Sequence, residues 1–211
     1  MSKILEIAAA IEGGKVKLIE DLVQEALDAG EDPGAILDDG MIAAMGIIGN
    51  KFQANEVFVP EMLVAAKTMK KGVEVLRPHL KSGSLGKLGK YIIGTVAGDL
   101  HDIGKNLVAL MIEAAGFEII DLGVDVPPEK FVDALKEHPD CMIVGASALL
   151  TTTMEALKNT VEAIHEGGYK GKVKIMVGGA PVTQEFANQI GADAYTPDAG
   201  SAASKAVELV S

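Results

Sequence analysis

Through the first 80 residues, apolar side chains recur three and four positions apart, as at Ile19, Leu22, Val23, Ala26 and Leu27, with charged residues filling the intervening face. That spacing predicts amphipathic helices that bury one stripe each. The stripe breaks at Gly13-Gly14, across Gly30 to Gly34, between Gly49 and Val57, and at Pro78, which leaves about four helices, enough to close a bundle core. The segment Lys81-Ser82-Gly83-Ser84-Leu85-Gly86-Lys87-Leu88-Gly89 then has the composition of a flexible connection. Beyond it the period changes. Short β-branched runs at Tyr91–Val96, Glu118–Asp121, Met142–Gly145, Val173–Val177 and Ala194–Thr196 alternate with helical stretches near 103–115, 128–137, 152–165, 182–190 and 200–210. Pro127-Pro128 and Pro181 stand where helices start, because a missing N–H costs nothing there. Strand and helix in alternation predict βαβ units on a parallel sheet. The expected architecture is an α/β chain in two domains, a helical bundle at 1–80 and a flavodoxin-like, doubly wound five-stranded sheet at 90–211, joined by the linker 81–89. In such a sheet ligands bind beyond the carboxyl ends of the strands, near the switch in strand order.

Composition narrows the function. With 19 basic against 30 acidic residues the formal net charge is -11, which disfavours nucleic acid and anionic membrane as partners. Lys67, Lys70 and Lys71 form only a local basic patch. The single cysteine, Cys141, rules out an intrachain disulfide and sits in an apolar run, as a small core residue does. The first residues lack the apolar stretch of an export signal, and nowhere do roughly 18 uncharged apolar residues run together. The expectation is a cytoplasmic chain.

The richest chemistry lies in Gly98-Asp99-Leu100-His101-Asp102-Ile103-Gly104, between the first predicted strand and its helix. Glycines at a helix start usually serve a phosphate, but Asp99 and Asp102 would repel one. Histidine ligates transition metals and characteristically gives its other ring N–H to a carboxylate, a part Asp99 could play. On spacing alone the segment reads equally well as a surface histidine beside two helix-capping aspartates. The other strand ends bear on the choice. Ser147-Ala148-Leu149 follows the third strand, with Thr151, Thr152 and Thr153 beyond; Gly178-Gly179 follows the fourth and Asp198-Ala199-Gly200 the fifth. Small and hydroxyl residues along one edge permit close approach of a ligand and supply hydrogen bonds without bulk, although each alone also reads as a cap or a turn. Phe52 and Phe58, two of only five phenylalanines, fall together in the helical half, where plain bundle core is the simpler reading.

Taken in order, Asp-x-His-x-x-Gly at 99–104, Ser-x-Leu at 147–149 and Gly-Gly at 178–179 resemble the signature of the cobalamin-binding corrinoid proteins. The helical half is similar to the cap that precedes the cobalamin domain in methionine synthase and in the corrinoid subunits of methanol and methylamine methyltransferase systems. Gly46, Phe52, Phe58, Val59-Pro60-Glu61-Met62 and Met69-Lys70 carry that second likeness. The resemblance implies cobalamin, or a related cobamide, bound base-off with His101 on the cobalt. Asp99 is then the carboxylate behind His101, and Thr153 stands where methionine synthase has a serine. Gly98, Asp102, Ile103 and Gly104 complete the loop. Ser147, Leu149, Thr151, Gly178, Gly179 and Ala199 are implied to line the slot for the nucleotide tail, and Phe58, with Phe52 and Met62, to belong to an apolar lid over the cobalt-bound methyl. The implied role is a carrier, not a complete enzyme, that shuttles a methyl group between a substrate-specific and an acceptor methyltransferase and is served by a reductive activation protein. A phosphoacceptor receiver would need a carboxylate where this chain has Gly145-Ala146-Ser147, and a flavodoxin-type carrier suits the acidic loop poorly. A cobalamin-dependent sensor is the remaining alternative, though such regulators add a basic DNA-binding domain.

Overall fold

In the computed structural model, which describes residues 2–80 and 88–210, the chain divides into a helical unit holding residues 2–80 and an α/β unit holding 88–113 and 117–210. Most of the expected connection, residues 81–87, lies outside the described residues.

The helical unit contains α1 (Lys3–Glu12), α2 (Ile19–Asp28), α3 (Pro33–Ala35), α4 (Ala43–Gln53) and α5 (Val59–Leu76). Asp32 starts α3 by accepting the N–H of Ala35 at 3.0 Å, with Pro33 at the first helical position, both standard helix-start chemistry. From α3 the chain runs without a break through a π-helical stretch, Ile36–Ile42, into α4, so these three form one of the four expected helices. The break expected from Gly49 falls later, because α4 continues to Gln53. The core stripe reads Ile7 and Ile11 on α1, Ile19, Val23 and Ala26 on α2, and Met62, Ala65, Met69 and Leu76 on α5. Gly72, in mid-α5, costs helix propensity. A Cβ there would meet Met41 at 2.9 Å and Ile19 at 3.0 Å, so the glycine lets the helices approach.

The α/β unit is a five-stranded parallel sheet of β1 (Lys90–Thr95), β2 (Glu118–Asp121), β3 (Cys141–Ser147), β4 (Lys174–Gly178) and β5 (Ala194–Tyr195) in the order β2-β1-β3-β4-β5. This is the doubly wound arrangement expected from the alternation of strands and helices. β1 and β3 are buried almost throughout, as strands covered on both faces must be. The helices are α6 (Ile103–Ala114), α7 (Pro128–Glu137), α8 (Met154–Ile164), α9 (Gln184–Ile190) and α10 (Ala199–Val210). Pro128 opens α7 as expected. Pro181 does not open α9: it sits in the turn closed by the Val182 N–H on the Gly179 carbonyl. The helix starts after Thr183, whose hydroxyl accepts the Phe186 N–H at 3.1 Å, because a side-chain acceptor offers what proline lacks. Strand order reverses between β1 and β3. The loops that leave their carboxyl ends, 96–102 and 148–153, therefore meet at the position where such sheets bind ligands.

Candidate functional site

Asp99 follows β1 and is fully buried. Its Oδ1 accepts the His101 N–H at 3.1 Å and lies 2.7 Å from His101 Nδ1; its Oδ2 accepts the Leu149 N–H at 2.7 Å, the Leu150 N–H at 3.4 Å and the Thr153 hydroxyl at 2.9 Å. Burial by itself raises a carboxyl pKa. Here it is outweighed by the Leu149 N–H, the His101 ring and main chain and the Thr153 hydroxyl, which together hold Asp99 well below the usual carboxylate range. An ionised carboxylate only accepts, so the proton between the two side chains resides on Nδ1. In the neutral imidazole the lone pair is then on Nε2, which has no hydrogen-bond partner among the described residues, and half of the His101 side chain is exposed. The geometry is that of a metal-ligating histidine with its orienting carboxylate. Asp102, by contrast, precedes α6 and bonds forward, its Oδ2 accepting from the Asn106 side-chain amide at 3.1 Å.

The loop is pinned from two further directions. The buried Thr95 hydroxyl donates to the His101 carbonyl at 2.9 Å and lies 3.0 Å from Ser147 Oγ. Thr95 has one hydroxyl proton, so with that proton on the carbonyl Ser147 supplies the second bond. Asp125, in the loop after β2, accepts the Gly98 N–H at 2.7 Å and donates its own N–H to the Asp99 carbonyl at 2.9 Å. Around the imidazole, Leu100 and Ile103 are 72% and 83% exposed, and Leu149 and Leu150 are also exposed. One carboxylate-oriented imidazole nitrogen thus stands among exposed apolar side chains. Among the described residues no group of three or more His, Cys, Asp or Glu side chains gathers to hold a metal. A metal bound at His101 must therefore bring its other ligands with it.

Residues 89–207 match the family described as the B12 binding domain, and residues 4–77 match a second family with the same description. The chain belongs to the B12-binding corrinoid proteins. It is 41% identical over 205 residues to dimethylamine corrinoid protein 3 of Methanosarcina acetivorans, covering 97% of this chain and 95% of that one. Identity to trimethylamine corrinoid protein 2 of the same organism is 46% over 192 residues, covering 90% and 88%. Among solved structures, the methanol:cobalamin methyltransferase complex MtaBC from Methanosarcina barkeri contains a similar chain. Its TM-score is 0.88 at 30% identity, over 99% of this chain and 79% of that one.

Cobalamin is accordingly the cofactor of this corrinoid protein, and the residues fit it: one exposed, carboxylate-oriented imidazole surrounded by apolar side chains suits a broad macrocycle that already supplies most of the cobalt's ligands. The structure brings together Gly98, Asp99, His101, Ser147, Leu149 and Thr153, with Asp102, Ile103 and Gly104 at the start of α6. A Cβ added at Gly104 would meet nothing within 4 Å. Thr151 is exposed in the turn before α8. Gly178 ends β4, and a Cβ there would come within 3.4 Å only of the Thr196 carbonyl. Gly179 differs: its φ is 124° and a Cβ would collide with the Ala148 carbonyl, so the fold itself demands glycine. Ala199 is buried at the start of α10 and offers little surface to a ligand. In the helical unit Phe58 is 62% exposed, its N–H held by Glu61 at 2.8 Å, whereas Met62 is fully buried on the core stripe of α5. Met62 thus lies on the inward face of its helix, and around the start of α5 the exposed apolar residues are Phe58, Val59, Leu63 and Val64.

Sequence reasoning missed Thr95, Asp125 and Lys105. The Lys105 ammonium is buried against both Asp121 oxygens, at 2.8 and 2.6 Å, and ties α6 to the end of β2. Each carries a faint signal: a hydroxyl closing an apolar strand, an acid between Gly123 and Pro127, and a lysine interrupting the apolar start of a helix.

Proposed function

We propose that this corrinoid protein is a methyl carrier that holds cobalamin base-off with His101 Nε2 as the lower axial ligand. One methyltransferase loads it with a methyl group and a second unloads it. The bound cofactor supplies a cobalt centre that can accept and release a methyl group; the polypeptide holds, orients and shields it. Asp99 keeps the proton on Nδ1 and fixes the ring plane, and Thr153 with the Leu149 and Leu150 amides keeps Asp99 ionised. Ser147 and Gly178 offer a hydroxyl and an open backbone to the nucleotide tail, while Leu100, Ile103, Leu149 and Leu150 meet the apolar macrocycle. Phe58 and its exposed neighbours form a surface suited to keeping water from the methyl group.

The observation that carries this reading is the 2.7 Å contact between Asp99 and His101, which leaves Nε2 free. The relatives named for dimethylamine and trimethylamine, matched over 95% and 88% of their lengths, favour the carrier over the sensor alternative. Because similar chains bear the names of methanol, dimethylamine and trimethylamine systems, the choice of donor is assigned to the partner methyltransferase. A reductive activation protein is a further partner, since such a cobalt centre would need an external reductant to be brought into its methyl-accepting state. The test is a labelled chase. Reduced holoprotein treated with labelled methyl iodide should retain a single light-releasable methyl group per corrinoid, and should pass it to a thiol once a corrinoid-dependent thiol methyltransferase is added. Label that stays on the protein through the chase contradicts the carrier role.

A further inference from the structure

Asp125 has left-handed backbone, φ 53°, one of two described non-glycine residues with positive φ. Such backbone is uncommon outside glycine, and Gly123, two residues earlier, adopts it as glycine. At position 125 glycine would satisfy the main chain and could still donate its N–H to the Asp99 carbonyl. What aspartate adds is Oδ1, which accepts the N–H of Gly98, itself left-handed at φ 79°. The two bonds bracket the Gly98-Asp99 dipeptide just ahead of His101. From the opposite side, the Asp99 carboxylate is gripped by Leu149, Leu150 and Thr153. Asp99 is thus fixed through its main chain by the loop after β2 and through its side chain by the loop after β3.

We propose that Asp125 is a positioning residue for the axial histidine: by clamping the Gly98-Asp99 main chain it aims the carboxylate that orients the His101 ring. The inference rests on the reading of His101 as the cobalt ligand. Two substitutions separate backbone from side chain. Asp125→Gly keeps the left-handed backbone and deletes the acceptor, whereas Asp125→Asn tolerates that backbone and keeps Oδ1. In the cofactor-free protein, hydrogen exchange at the Gly98 amide should accelerate roughly tenfold in Asp125→Gly, as loss of its hydrogen-bond acceptor implies, and stay near the parent value in Asp125→Asn. In holoprotein reduced to cobalt(II), the ratio of histidine-ligated to unligated cobalt, read from nitrogen splitting in the electron paramagnetic resonance spectrum, should fall about tenfold in Asp125→Gly, as for other outer partners of a metal ligand. Asp125→Asn should restore it. A parent protein with no histidine nitrogen on cobalt would remove the underlying reading and leave the Gly98 exchange result standing. A parent with that nitrogen, and an Asp125→Gly variant that frees the Gly98 amide yet keeps the parent ligation ratio, overturns the inference. So does an Asp125→Asn variant that protects Gly98 but loses the ligand.

Discussion

A carboxylate taken out of water without partners would hold a proton, and a protonated Asp99 could not dictate which nitrogen of His101 is free. The five hydrogen-bond donors around Asp99 prevent this and fix the orientation of the His101 ring. Asp99→Asn keeps the size but loses the charge, and its amide N–H₂ cannot accept from Leu149 and Thr153. The cobalt–nitrogen equilibrium should weaken roughly 10–100-fold, or about 1.4–2.8 kcal/mol, with the ligand still detectable in the cobalt(II) spectrum. Loss of all cofactor would instead mean that Asp99 chiefly holds the fold. The same pair gives an acid signature. The folded value of Asp99 lies below its unfolded value of about 3.9, so its stabilisation is fully present above that pH and is lost as pH falls further. In urea unfolding of the apoprotein, the gap between parent and Asp99→Asn should be widest near neutral pH and narrow toward about pH 3. A gap that stays constant contradicts the assignment. In the sequence, spacing leaves the pairing of Asp99 with His101 as one of two readings and Thr153 enters only through the resemblance to methionine synthase; the hydrogen bonds that join the three are visible only in the fold. Thr95 and Asp125 were not legible, since their roles exist only once β1, β2 and β3 lie side by side.

At the scale of elements, the carboxyl ends of β1, β3 and β4 build the candidate slot, and two adjacent glycines there do different work. Gly178→Leu should leave folding nearly intact and selectively hinder corrinoids that carry a nucleotide tail. Titrations with complete and tail-truncated corrinoids should then give nearly equal affinities in the variant, where the parent prefers the complete one. Unchanged preference would mean that the tail does not pass Gly178. Gly179→Ala must instead strain the φ of 124° and displace the Ala148 carbonyl, which should cost about 1–3 kcal/mol of stability whatever the ligand. The strands were legible to within a few residues because β-branched runs bounded by glycine have few other homes. The helix starts were less so, since Thr183 outcompetes Pro181 through a cap that spacing does not reveal. Gly178 and Gly179 looked alike in sequence, and only the neighbouring carbonyl separates them.

For the whole molecule, none of the described helices is long and apolar enough to cross a membrane, and the net charge of -11 leaves partner recognition to local surfaces. The helical unit exposes Phe58, Val59 and Leu63 at the start of α5, a face we propose shields the methyl group. Phe58→Ala removes a ring that is mostly outside the core, so its unfolding midpoint should shift by no more than about 0.5 kcal/mol equivalent, while light- and water-driven loss of the methyl group accelerates. A large fall in stability with unchanged methyl retention would return Phe58 to the bundle core. The buried stripe of α5 was legible as periodicity, but the same periodicity could not tell Met62 from Phe58, because which face a helix buries depends on its neighbours. The proposed mode of cofactor binding depends on one bond, from His101 Nε2 to cobalt. Protein grown with ¹⁵N-histidine, loaded with unlabelled cofactor and reduced to cobalt(II), tests it directly by paramagnetic resonance. A threefold splitting from ¹⁴N in unlabelled protein should become twofold on labelling and vanish in His101→Ala. A threefold pattern that survives both changes would show that the cofactor keeps its own base on the metal and that His101 is not the ligand.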